Sequence, residues 1–87
     1  MSAYGVYANL EALEGTTDGS VQTLTLVRKS RKLVIINDHA SNALSYKFNN
    51  SETFATLKGT EVLTMYFTTK QIIIQGTNCP YRIWVFG

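Results

Sequence analysis

Residues 71–86, Gln71-Ile72-Ile73-Ile74-Gln75-Gly76-Thr77-Asn78-Cys79-Pro80-Tyr81-Arg82-Ile83-Trp84-Val85-Phe86, decide how this chain folds. Two runs of β-branched and aromatic residues, Gln71 to Gln75 and Tyr81 to Phe86, flank a cluster of turn formers from Gly76 to Pro80. Short runs of that composition between turn signals read as strands. Pro80 cannot donate a ladder hydrogen bond, so it belongs at a strand's start or edge.

The same grammar extends back to Ser20. Leu24 and Leu26 alternate with Thr23, Thr25 and Val27, and Leu33 to Ile36 follow the basic cluster Arg28-Lys29-Ser30-Arg31-Lys32. A polar loop, Asn37 to Asn42, precedes Leu44, Tyr46 and Phe48 on one face. Turns at Asn49 to Glu52 and at Lys58-Gly59-Thr60 bracket a short strand from Phe54 to Leu57, and Val62 to Phe67 come next. Seven candidate strands with turns every eight to twelve residues predict an all-β domain. The expected form is a small antiparallel β-sandwich, jelly-roll or Greek-key-like, with a barrel as the alternative. Eleven threonines suit it.

The first nineteen residues read differently. They contain Glu11, Glu14 and Asp18 and no Lys or Arg, so the remainder holds eight basic and three acidic residues, a formal +5 within a net +2. Tyr4, Tyr7, Leu10 and Leu13 recur at about helical spacing for two turns, too short for a helix to hold itself in water. The composition therefore predicts an N-terminal arm or linker over 1–19 and a β-sandwich domain over 20–87. Tyr4, Tyr7, Leu10 and Leu13 would anchor the arm on its own domain or on a neighbour.

Several strands are apolar on both sides. Val34 and Ile36 oppose Leu33 and Ile35, Ile73 opposes Ile72 and Ile74, and Trp84 and Phe86 oppose Tyr81, Ile83 and Val85. Leu63, Met65 and Phe67 likewise oppose Val62 and Tyr66. A sandwich covers only the inner side of each sheet. A chain of 87 residues also buries only about 60 to 65% of its unfolded surface, and one cysteine, Cys79, provides no internal disulfide. Either the arm or sheet twist covers the second side, or other subunits do; a homo-oligomer is the expectation.

The residues do not assemble a reaction centre. His39 is the single histidine and Cys79 has no cysteine partner, so neither a metal nor another cofactor is expected. Asp38, His39 and Ser41 match a triad by type, yet they crowd into one four-residue loop. Glu52 and Glu61 sit in turns, where solvated carboxylates are ordinary, and the six glycines lie singly at turns. No enzymatic activity is expected. Arg28, Lys29, Arg31 and Lys32 could contact an anionic surface, or form a solvated tip that discourages edge pairing. The aromatics are not interleaved with these cations, so a nucleic-acid partner is not expected. Tyr46, Tyr66, Tyr81 and Trp84 could also form a sugar-stacking surface. No run approaches a membrane span, and Met1 to Gly15 does not read as a secretory signal, so no membrane partner and synthesis in a host cytoplasm are expected.

From Leu33 to Gly87 the segments LVIIND, ALSYKFNNSETFATLKGTEVLTM and IIIQGTNCPYRIWVFG occur in this order. The pattern resembles small all-β virion proteins of tailed bacteriophages over about two thirds of the chain. The resemblance implies a structural role on the virion, as a decoration or cement protein bound outside a shell of major capsid protein. Such proteins often bind as trimers. The interface would then draw on Tyr4, Tyr7, Leu10, Leu13, Trp84 and Phe86. Two other classes share the strands: a tail, neck or baseplate accessory protein that closes into rings, and a carbohydrate-binding adhesin module.

Overall fold

The computed structural model describes residues 7–50 and 52–87. Its eight strands are β1 (Leu10–Asp18), β2 (Gln22–Thr25), β3 (Lys32–Asn37), β4 (Leu44–Lys47), β5 (Ala55–Leu57), β6 (Val62–Met65), β7 (Gln71–Gln75) and β8 (Thr77–Phe86). They form two four-stranded antiparallel sheets, ordered β1-β8-β3-β6 and β2-β7-β4-β5, with no helix among the described residues. Every connection except the β4–β5 hairpin passes from one sheet to the other. The chain is thereby wound around a single core.

That core is built from alternate residues of facing strands. Leu33, Ile35, Ile83 and Val85 of the first sheet meet Leu44, Leu57, Ile72 and Ile74 of the second, with Leu26 and Phe48 closing the sides. The arrangement is sandwich-like, as alternation in the sequence requires.

The strand missed in the sequence is β1. Residues 10–18, read as part of an arm, pair antiparallel with β8 from Leu10↔Phe86 to Asp18↔Thr77, with a register shift between Thr16 and Asp18. Leu10 and Leu13, expected on one helical face, lie on opposite sides of the sheet: Leu10 is exposed and Leu13 packs against the core. A two-turn helix has no means of holding itself, whereas β8 offers a full-length partner. The boundary expected near Gly19 falls at the turn into β2, where Asp18 accepts hydrogen bonds from the Ser20 backbone and hydroxyl and Gly19 takes φ 93°. Gly15 is the enabling residue within β1. It lies opposite Tyr81, and a Cβ there would meet the Tyr81 hydroxyl at 2.7 Å.

The start of β8 also departs from expectation, since pairing begins at Thr77 and includes Pro80. Asn9 and Gly87 exchange both backbone hydrogen bonds, which fixes odd-numbered β8 residues as those bonded to β1 and even-numbered ones as those turned to β3. Pro80 is even-numbered and lies just beyond the end of β3, where its carbonyl accepts from the Asp38 amide. Its missing N–H therefore interrupts neither ladder.

Candidate functional site

Among the described residues, the outer face of the β1-β8-β3-β6 sheet is the feature left uncovered. Register places three rows across it: Leu10, Phe86 and Lys32; Ala12, Trp84, Val34 and Thr64; and Glu14, Arg82, Ile36 and Val62. Tyr66 follows β6 at the end of the first row. Of the large apolar residues here, Leu10 is 63% exposed, Val62 59%, Tyr66 74% and Trp84 38%. Val34 and Ile36 are buried yet stand outside the core cluster, with Trp84 and Arg82 as their register neighbours on the same face.

The two outer faces are not alike, which corrects the expectation drawn from Ile72, Ile73 and Ile74. Ile73 does point away from the core, yet it is buried between its register neighbours Thr23 and Lys47. Around it stand Thr25, Ser45, Thr56, Gln71 and Gln75, so the second sheet presents a polar exterior. Only the first sheet needs a cover.

Charged side chains frame the apolar face without filling it. Asp38 holds Arg82 in a two-pronged ion pair, with Oδ2 accepting from Nε at 2.7 Å and Oδ1 from Nη2 at 2.9 Å. The Arg82 hydrogen bond keeps the Asp38 carboxyl below its ordinary value of 3.8. So anchored, the guanidinium lies 5.9 Å from the Trp84 ring centroid. At the opposite end the Lys32 ammonium stands 5.6 Å from the Tyr66 ring and 5.3 Å from that of Phe86. Phe86 also carries Tyr7 on its flank, 5.6 Å between centroids and tilted by 51°.

Of the expected interface residues, Tyr7, Leu10, Trp84 and Phe86 share this surface, Leu13 faces the core, and Tyr4 lies outside the described residues. The basic cluster is divided. Arg31 lies 5.9 Å from the Tyr7 ring and Lys32 joins the aromatic face. Arg28 and Lys29 instead line a cavity of about 200 Å³ with Asn9, Leu10, Glu11, Val27, Val85 and Gly87, where the Glu11 carboxylate accepts from the Val27 amide at 3.0 Å. Nor is the segment a free tip: Ser30 is buried, its hydroxyl donates to the Phe67 carbonyl at 2.5 Å and accepts from the Thr69 amide at 2.9 Å.

The residues that resembled catalytic groups hold loops together. His39 Nδ1 accepts from the Ser41 and Asn42 amides at 2.9 and 2.8 Å, so it does not donate to an orienting carboxylate as a triad histidine does. Glu52 accepts from the amides of Phe48 and Asn49, and Glu61 from that of Lys58. A second depression, lined by Gly19, Asn42, Ala43, Ser45, Gln75, Gly76 and Thr77, has no titratable side chain. Among the described residues no three His, Cys, Asp or Glu side chains come together as metal ligands would.

Sequence reading missed a buried polar network. The Asn37 amide donates to the carbonyls of Asn42 and Leu57 at 2.8 and 3.0 Å, while its oxygen accepts from the His39 amide at 3.0 Å and the Cys79 thiol at 2.9 Å. The Cys79 amide donates to Thr17 Oγ1 at 3.0 Å, which ties in β1. Burial pushes the Cys79 thiol up, against the Asn37 hydrogen bond. The network fixes the loop after β3, and with it Asp38, the residue that steers Arg82 over Trp84. A polar Asn at the end of an apolar strand was its one trace in the sequence.

No family model matches this chain, and no curated protein matches it.

Proposed function

We propose that this protein acts by binding and not by catalysis, as a homo-oligomeric structural component that docks on a larger protein surface through the outer face of its β1-β8-β3-β6 sheet. The supporting observation is that face: contiguous, apolar, centred on Trp84 and framed by Arg82, Glu14 and Lys32. Soluble monomers seldom leave such patches open unless they are used. The ion-paired Arg82 beside Trp84 is the type of anchor that interfaces favour.

The strand orders support reading the sandwich as a jelly roll, an architecture of viral capsid and lectin domains. With the resemblance to phage virion proteins, this favours a decoration or cement protein on the outside of a capsid. A fold alone does not assign a function. The face therefore bears the argument.

The test uses empty shells of the encoding virus, made without this protein and mixed with it. Ordered density on the shell surface is expected, with a Val62→Lys/Tyr66→Lys double variant failing to bind although folded. Trp84 is the sole tryptophan, so its emission should shift to the blue on docking. Shell binding with unchanged emission, or by the double variant at full occupancy, would remove the face from the role. Quenching by a soluble glycan without shell binding would favour the adhesin class.

A further inference from the structure

We propose that β1 is a self-pairing edge: two copies join β1 to β1 antiparallel, making one continuous eight-stranded sheet. This deepens the assembly reading above and rests on it only for the claim that the chain is homo-oligomeric.

The hydrogen-bond phase of β1 is fixed by the reciprocal bonds between Asn9 and Gly87. Two-residue alternation turns the amides and carbonyls of Asn9, Glu11, Leu13 and Gly15 toward β8. Those of Leu10, Ala12, Glu14 and Thr16 point the other way, where no strand pairs among the described residues. At nine residues β1 is the longest sheet edge, against four for β2, three for β5 and four for β6. Natural edges of that length are blunted by charged side chains, proline or a bulge. Between Leu10 and Thr16 there is neither proline nor bulge, the one register shift coming after Thr16, and of the two charges there, Glu11 is tied to the Val27 amide and Glu14 stands beside Arg82.

Charge selects a second copy as the occupant. The two ends of this edge carry opposite signs. At the entry Arg28 and Lys29 stand beside Asn9 and outnumber Glu11, whose carboxylate is held by the Val27 amide, while Glu14 and Asp18 occupy the exit. An antiparallel two-fold brings the exit of each copy against the entry of the other, so both charge contacts form twice. Only even-numbered residues bond outward, so an axis can pass through Ala12, Leu13 or Glu14. The Glu14 axis opposes two like charges directly. The Leu13 axis pairs Leu10 with Thr16 and Ala12 with Glu14 of the second copy, for roughly eight hydrogen bonds, two in each of four pairs. It also brings the Asp18 end of the second copy toward the entry, where Arg28 and Lys29 stand beside Asn9. The closure is two-fold, and it replaces the three-fold expectation for this contact.

Ala12→Pro is the decisive variant. The Ala12 N–H faces away from β8, so proline removes a donor at the centre of the edge while leaving the β8 ladder whole. Sedimentation of the wild-type chain should give twice the 9.7 kDa chain mass at tens of micromolar. Ala12→Pro should sediment as one chain, with association weakened at least about 30-fold by two lost donors and their orphaned acceptors, and with circular dichroism unchanged. Should Ala12→Pro misfold, Arg28→Glu/Lys29→Glu reports on the same contact from exposed positions, with about tenfold weaker association and a loss of salt sensitivity. A wild-type monomer at 100 μM, a trimer, or a dimer that survives these variants and is dispersed by Val62→Lys/Tyr66→Lys would each overturn the proposal. Shell binding by monomeric Ala12→Pro separates the two readings, because the docking face is intact in that variant.

Discussion

Replacing Asn37 by leucine tests whether the buried polar network organises the loop behind the docking face. The substitution keeps the branching and heavy-atom count of asparagine, with bulkier methyls, but strips four partners: the Asn42 and Leu57 carbonyls, the His39 amide and the Cys79 thiol. Two of these contacts, to Leu57 and Cys79, are fully buried, and water can reach the other two. Leaving a buried group without a partner costs about 1–3 kcal/mol, more for a carbonyl than for a weakly bonding thiol. The loss should therefore be about 3 kcal/mol. At roughly 0.05–0.15 kcal/mol per residue this chain has only about 4–13 kcal/mol to lose. Each kcal/mol moves the midpoint of a domain this size by about 4–8 °C, so calorimetry should show Tm lower by roughly 12–24 °C. The released loop should also loosen Asp38 from Arg82, altering Trp84 emission in the native state. A fall of less than about 5 °C, with Trp84 emission unmoved, would show that the network neither stabilises the fold nor positions the face.

Two further predictions are independent of assembly. Thr60 is a β-branched residue at φ 69°, a left-handed conformation that asparagine tolerates far better, so Thr60→Asn should raise Tm by a few degrees, about 0.5–1 kcal/mol; a lower Tm would show that the turn needs threonine itself. The depressed Asp38 carboxyl contributes stability that is present above its unfolded value of 3.8 and is lost as pH falls through the lower folded value. Wild type and Asp38→Asn should thus differ by a constant Tm offset from pH 7 to 5 that shrinks below pH 4, and an offset that grows on acidification would contradict the Arg82 pairing.

Much of the architecture was legible because alternation and turn chemistry agree locally. β3, β4 and β7 lie within a residue or two of where Leu33 to Ile36, Leu44 to Phe48 and Gln71 to Gln75 put them. β1 was not legible, since Leu10-Glu11-Ala12-Leu13-Glu14 is built from helix formers and its strand exists only through β8. The site divides along the same line. Trp84 and Phe86 could be placed outward by their alternation with Ile83 and Val85. The Asp38–Arg82 pair spans 44 residues, and the contrast between a polar and an apolar exterior depends on which strands become neighbours. Neither is written in periodicity.

The β1 edge and the outer face bear on one another through symmetry. Residues paired across a sheet project their side chains to the same side, so a two-fold that joins Ala12 to Glu14 must run perpendicular to the sheet. The two Trp84 faces then point the same way and form one surface of doubled width. Trp84 leaves 38% of its surface open, about 95 Å² of an aromatic that can bury about 250 Å², or about 2 kcal/mol on docking. That is weak for a single copy. Once the first face of a dimer is seated, the second docks at a millimolar effective concentration, which can strengthen attachment about 10²–10⁴-fold without a new contact. Ala12→Pro should therefore weaken attachment to a repeating shell while leaving the affinity of each face unaltered, whereas Val62→Lys/Tyr66→Lys should weaken monomer and dimer alike. A shell that binds the Ala12→Pro monomer as tightly as the wild-type dimer would show that the two faces never engage together.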